Sequence, residues 1–162
     1  MSRARILAAE RDGAYWLKLV GDVRLTLCAT IDLYVESMLS APDFASVLID
    51  LREAEGLDST TLGLLAKLAI GCRERIGVAP TILIADDNVK RILESVGFDR
   101  IFDIRRSLPE TDAGLAELPM IRAGEDEVKQ RVIAAHRVLM GLNEENRAAF
   151  RDLMAALGCE EE

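Results

Sequence analysis

Asp58-Ser59-Thr60-Thr61 sets one carboxylate and three hydroxyls side by side, just ahead of an apolar pattern at Leu62, Leu64, Leu65, Leu68 and Ala69. That pattern predicts a helix, and the cluster falls at its N-terminus. Unpaired amides and the positive end of the helix dipole favour negative charge there, phosphate included. The same residue types are also ordinary N-caps, which satisfy amides and do nothing else. His136 is the only histidine. A general base or metal ligand needs partners, and its own helix offers Arg137 and Glu144, so a packed or solvated imidazole is the expected reading. The chain has no Gly-rich phosphate loop, Gly-x-Ser-x-Gly elbow or Cys-x-x-Cys pair. Asp86-Asp87 with Asp50 suggests the acidic pocket of a receiver domain. The closing strand ends in Arg105-Arg106 where a receiver needs lysine, so Asp86 and Asp87 are read as helix caps. No catalytic residue, metal site or cofactor is expected.

The elements that must hold the cluster are legible from periodicity. Arg5–Ala9 and Ala14–Val20 read as strands joined by an Arg11-Asp12-Gly13 turn, with Leu17 and Leu19 facing the core and Gly21-Asp22-Val23 closing the second. Trp16, on the other face, is read as sheet packing rather than a binding aromatic. Thr30–Ser40 predicts a helix capped by Thr30, with Ile31, Tyr34, Val35, Met38 and Leu39 on one face. The strand Ser46–Ile49 ends on Asp50, and Leu51–Leu57 reads as a polar connection. The Ser59 helix runs to about Arg75, stopped by Gly77. Thr81–Ala85 is the next strand, Val89–Val96 a helix capped by Asp86-Asp87-Asn88, and Ile101–Ile104 a last short strand. Alternation of this kind predicts an α/β fold with right-handed crossovers, and by itself leaves a receiver-like fold open.

The motifs narrow that choice. Asp50-Leu51, then Asp58-Ser59-Thr60, then Leu62-Gly63 resembles the signature of the STAS family, the anti-sigma factor antagonists. Gly21-Asp22-Val23, Val89-Lys90-Arg91, Gly97-Phe98 and Ile101-Phe102 follow that family's order as well, so the resemblance covers residues 5 to 106. Thr61 stands where the family usually has glycine. The resemblance implies a mixed STAS-like sheet with helices mainly on one side. It also implies that Ser59 is the phosphorylation site of a serine kinase, with Thr60 an alternative acceptor. Asp58, Ser59, Thr60 and Thr61 would then contact an anti-sigma factor or switch kinase, and a phosphatase would reset the site. A structural role in a lipid- or anion-transport complex is the competing implication.

Past the STAS-like domain (1–106), a connector (107–124) with Pro109 and Pro119 leads to a C-terminal αα-hairpin extension (125–162). Val128, Val132, Ala135, Leu139 and Leu142 form a narrow apolar seam on its first helix. Asn143 caps the second, whose apolar face holds Ala149, Phe150, Leu153, Met154 and Leu157. Such helices must bury their faces, and three readings stand: docking onto the preceding domain, homodimerisation, or capture of a partner. Residues 107–162 hold twelve acidic and six basic side chains, so 6 of the 8 net negative charges lie there.

Composition sets the outer limits. Of 162 residues, 50% are hydrophobic, enough for a real core. A net charge of −8 argues against nucleic acid as a direct partner. No apolar run reaches the roughly 18 residues needed to span a bilayer, so no membrane insertion is expected. Cys28, Cys72 and Cys159 lack metal-ligand spacing and read as reduced thiols of a cytoplasmic protein.

Overall fold

The computed structural model describes residues 3–108 and 114–158; Cys159 and Pro109 lie outside that range. Strands β1 (Arg5–Arg11) and β2 (Ala14–Val23) form the expected hairpin. Asp12 and Gly13 both take positive φ, +52° and +85°, which two-residue hairpin turns require. Helix α1 (Cys28–Ser40), strand β3 (Ser46–Leu57), helix α2 (Ser59–Ile76) and strand β4 (Thr81–Leu83) follow. Helix α3 (Asp87–Ser95), strand β5 (Asp103–Arg105), strand β6 (Ala116–Glu117) and helices α4 (Glu125–Met140) and α5 (Glu144–Ala156) come next among the described residues.

The six strands make one mixed sheet in the order β5-β4-β3-β2-β1-β6. β2, β3, β4 and β5 are parallel neighbours, while β1 is antiparallel to both β2 and β6. Leu17, Leu19, Ile49 and Ile82 are fully buried on one face of the sheet, in one cluster with Ile31, Val35, Leu65, Leu68 and Leu93 of the helices. The fold is therefore α/β with a mixed sheet, helices packed against it, and two further helices at the C-terminus. On the opposite face Trp16 and Leu48 line a pocket of about 570 Å³ with Ala9, Ser46 and Thr81. Trp16 is half-buried there as part of the pocket lining rather than of the core cluster, and its indole N–H has no partner among the described residues.

Several boundaries differ from expectation. The polar stretch 51–57 is not a loop: β3 runs through it to Leu57, hydrogen-bonded along β2. Leu51, Ala54 and Leu57 bury while Arg52, Glu53 and Glu55 face solvent. Two register shifts, between Lys18 and Val20 and between Gly21 and Asp22, each insert an extra β3 residue, so these are β-bulges. Thr30 does not cap α1, which starts earlier, at Cys28, behind a 3₁₀ turn at Leu25–Leu27. Its buried hydroxyl instead accepts from the Ile121 amide (2.9 Å) and donates to the Pro119 carbonyl (3.3 Å), tying down the connector. The connector also supplies β6, an edge strand on β1. β4 stops at Leu83, α3 begins at Asp87, and Phe98–Arg100 forms a 3₁₀ turn that delays β5 to Asp103. Asp86 caps α3 as expected, its carboxylate accepting from the Val89 amide at 2.9 Å.

Helices α4 and α5 dock on their own chain. Asn143 caps α5 as the sequence predicts, its side chain accepting from the Asn146 amide at 2.7 Å. Arg131 of α4 reaches Asp32 of α1 at 3.1 Å, and the same carboxylate takes Lys67 of α2 at 2.7 Å. Buried Asn146 donates to the carbonyls of Val96 and Leu139, both at 2.9 Å, which fixes the hairpin to the end of α3. α4 thus lies as an outer layer on α2 and α1, with α5 behind it.

Candidate functional site

The hydroxyl cluster sits where β3 turns into α2, and each member has a separate task. Asp58 is the N-cap, with extended backbone (φ −81°, ψ 171°). One carboxylate oxygen accepts from the Thr61 amide at 2.8 Å, satisfying an orphan donor of the first turn. The other accepts from the Leu25 amide at 2.8 Å, so this one side chain also sets the path from β2 into α1. Thr61 is fully buried, and its hydroxyl donates to the Val23 carbonyl at 3.3 Å. That bond gives the threonine standing at the usual glycine position a structural use. Thr60 is buried at 3% exposure. Ser59 is half-buried, and its hydroxyl turns away from its own loop.

That hydroxyl meets His136 of α4: Ser59 Oγ lies 2.6 Å from Nε2. The other ring nitrogen, Nδ1, is 2.6 Å from the Val132 carbonyl one turn earlier. A carbonyl can only accept, so Nδ1 carries a proton and Nε2 is the nitrogen left to pair with the Ser59 hydroxyl. Phe150 of α5 closes over the imidazole edge-on, ring centroids 5.1 Å apart, and the ring is only 1% exposed. A serine hydroxyl on an oriented histidine is the geometry of an activated nucleophile. Here the histidine is oriented by a helix carbonyl and sealed beneath an aromatic ring. The pair therefore reads as an interhelical lock rather than the floor of a cleft.

Position 63 explains why α4 comes so close. A Cβ on Gly63 would lie 2.3 Å from the Ala135 carbonyl oxygen and 2.6 Å from the Ala135 Cβ. The glycine allows α4 to seat its Ala135–His136 segment against the first turns of α2. Leu62, Gly63 and Ala66 are buried. His136 is thus packed, one of the two expected alternatives, but its partner is the residue singled out independently as the candidate phosphoacceptor. The clue in the sequence is its place on the seam. It sits four residues after Val132 and directly after Ala135, where a polar side chain must find a partner.

Cys28 and Cys72 are buried free thiols. Burial pushes both thiols up, Cys72 to about 11, so both stay protonated near neutrality. Among the described residues no cluster of histidine, cysteine or acidic side chains could hold a metal ion. Among them also, no helix is long and apolar enough to cross a membrane.

A mixed sheet with its helices on one face, presenting a capped Asp-Ser-Thr-Thr turn at the start of α2, defines a STAS-type α/β domain. The family model of the STAS domain matches residues 5–111, and the chain belongs to the STAS family. Anti-sigma factor antagonism is the common setting of that family. The comparison with curated proteins found no match.

Proposed function

We propose that the protein is a phosphorylation-switched antagonist of an anti-sigma factor, working in the cytoplasm as a binding module rather than as an enzyme. One observation carries this reading. At the family's acceptor position, Asp58 takes over the capping of α2, so the Ser59 hydroxyl is not needed by its own loop and is engaged instead by His136 of α4. The unmodified turn at Asp58 and Ser59, with the adjoining face of α2, would bind the anti-sigma factor or the kinase; Thr60 and Thr61, expected to share that contact, are buried and shape the turn from beneath. In the switching step, Ser59 Oγ bonds to the γ-phosphorus of a nucleoside triphosphate held by that kinase. The bond from the γ-phosphorus to the bridging oxygen breaks, the diphosphate leaves, and the hydroxyl proton passes to the kinase's base.

Phosphorylation adds about −1.5 to −2 charges next to Asp58. The N-terminus of α2 stabilises that charge, so the domain keeps its fold. A partner fitted to a bare hydroxyl meets bulk and repulsion, which costs enough to reverse binding. A phosphatase restores the surface.

The test is capture from native lysate with wild type, Ser59→Ala and Ser59→Asp, alongside intact-mass analysis of the recovered wild type. The reading expects a partner held by Ser59→Ala and lost by Ser59→Asp, and a phosphate mapped to Ser59. Identical partners on all three, with no phosphate, would reduce Ser59 to a helix-start residue and leave the structural role in a transport complex.

A further inference from the structure

We propose that α4 is an internal competitor for the partner surface: docked, the hairpin reads the unmodified Ser59 hydroxyl and covers the face of α2 that a partner would use. This rests on the assignment of Ser59 as the switch. Three independent contacts place α4 there. Ser59 Oγ lies 2.6 Å from His136 Nε2, in hydrogen-bond contact. Ala135 rests on Gly63 at a distance that no side chain at 63 would permit. Arg131 shares the Asp32 carboxylate with Lys67 of α2. A partner or a kinase that needs Ser59 must therefore move the hairpin first, and its apparent affinity falls by the fraction of molecules that are open.

Phosphorylation acts on the same contact. The ester oxygen carries a phosphoryl group where Nε2 of His136 now lies 2.6 Å away, and that ring is 1% exposed beneath Phe150, so the docked hairpin leaves the group no room. Forcing bulk into a packed contact is destabilising, and a dianion beside the Asp58 carboxylate adds repulsion. The hairpin is thus expected to leave the phosphorylated domain, as the partner does. Both recognise the bare hydroxyl.

The experiment is amide hydrogen exchange on three full-length chains: wild type, a chain carrying co-translationally incorporated phosphoserine at 59, and Ala135→Leu. The last variant enlarges the residue facing Gly63 while leaving the STAS domain's own sequence intact. The proposal expects α4 amides to exchange roughly tenfold or more faster in both altered chains, with β2 and β3 protected as in wild type. Wild-type protection of α4 in the phosphoserine chain would overturn it, because the phosphate would then be accommodated under the docked hairpin. Loss of protection in α4 and the sheet together in Ala135→Leu would also overturn it, since the hairpin would be integral to the fold. Either failure leaves the switch reading standing. That reading falls separately, when Ser59→Ala and Ser59→Asp recover the same partners.

Discussion

Gly63→Ala sets two effects of similar size against each other, and the structure says which wins. An alanine inside a helix is worth about 0.8–1.0 kcal/mol over glycine, so α2 alone would gain. The added Cβ, however, lies 2.3 Å from the Ala135 carbonyl oxygen, well inside van der Waals contact, and that atom is backbone. No side-chain rotation relieves it; α4 must back away. A gap of 0.5–1 Å already forfeits about a quarter to a half of the dispersion energy across a contact, and overpacking costs about 1–3 kcal/mol in total. Backing α4 away would also stretch the 2.6 Å Ser59–His136 hydrogen bond. Gly63→Ala should therefore leave the strands as stable as before or slightly more so, while docking of α4 weakens by about 1 kcal/mol or more net. Amide exchange in α4 reads the docking, and the imidazole resonances of the only histidine read the hydrogen bond without an assignment problem. A variant more stable by about 1 kcal/mol, with α4 protection and histidine resonances unchanged, would show that α4 does not rest on Gly63.

Two further predictions concern other parts of the molecule. Asn146→Ala takes its donor from the Val96 carbonyl, at about 1–3 kcal/mol for a buried group left unsatisfied, while the Leu139 carbonyl keeps the Leu142 amide at 3.1 Å, so hairpin exchange should rise above that of wild type; unchanged exchange would show that these bonds contribute little. Cys72 supplies an alkaline limb to the stability curve. Its thiol is raised by burial from 9.0 to about 11. The stabilising difference is complete below the unfolded value and is lost as pH rises through the folded one. Urea unfolding between those limits should lose about 3 kcal/mol from this group, and Cys72→Ala should lack that part of the slope.

How much of this was legible beforehand depended on where each signal was stored. The Asp12-Gly13 hairpin, the Asp58 and Asp86 caps, the Gly77 stop and the Asn143 cap are local chemistry, and each was found where the residue types placed it. The C-terminal half of β3 was missed because its two bulges break strict alternation. Leu51, Ala54 and Leu57 bury at a spacing of three, which resembles no strand pattern, amid charges that read as a turn. Thr30 was misread because cap residues and residues that anchor a distant segment have the same chemistry; its partners at Pro119 and Ile121 lie some 90 positions away. His136 posed the same difficulty. Weighed against neighbours on its own helix it had no purpose, and its partner lies 77 residues earlier in the chain.

The composition of the α4 interface bears on what the hairpin is for. An appendage needed only for stability would be best served by an unbroken apolar seam, because buried ion pairs and polar pairs roughly break even against hydrophobic packing. Val128, Val138, Leu142 and Phe150 do pack against the core. Beside the apolar contact of Ala135 on Gly63, the seat on α1 and α2 also carries polar contacts: Arg131 on Asp32, with Lys67 sharing the carboxylate, and His136 on Ser59. Polar groups in a helix seam specify register at some cost in stability, since any shifted register leaves a donor or acceptor buried without a partner. α4 is therefore specified in one position by contacts that also include apolar packing. That combination suits a segment that must return to the same seat after each release. It also makes the seat sensitive to what Ser59 Oγ carries, because His136 Nε2 lies only 2.6 Å from the atom that phosphorylation modifies.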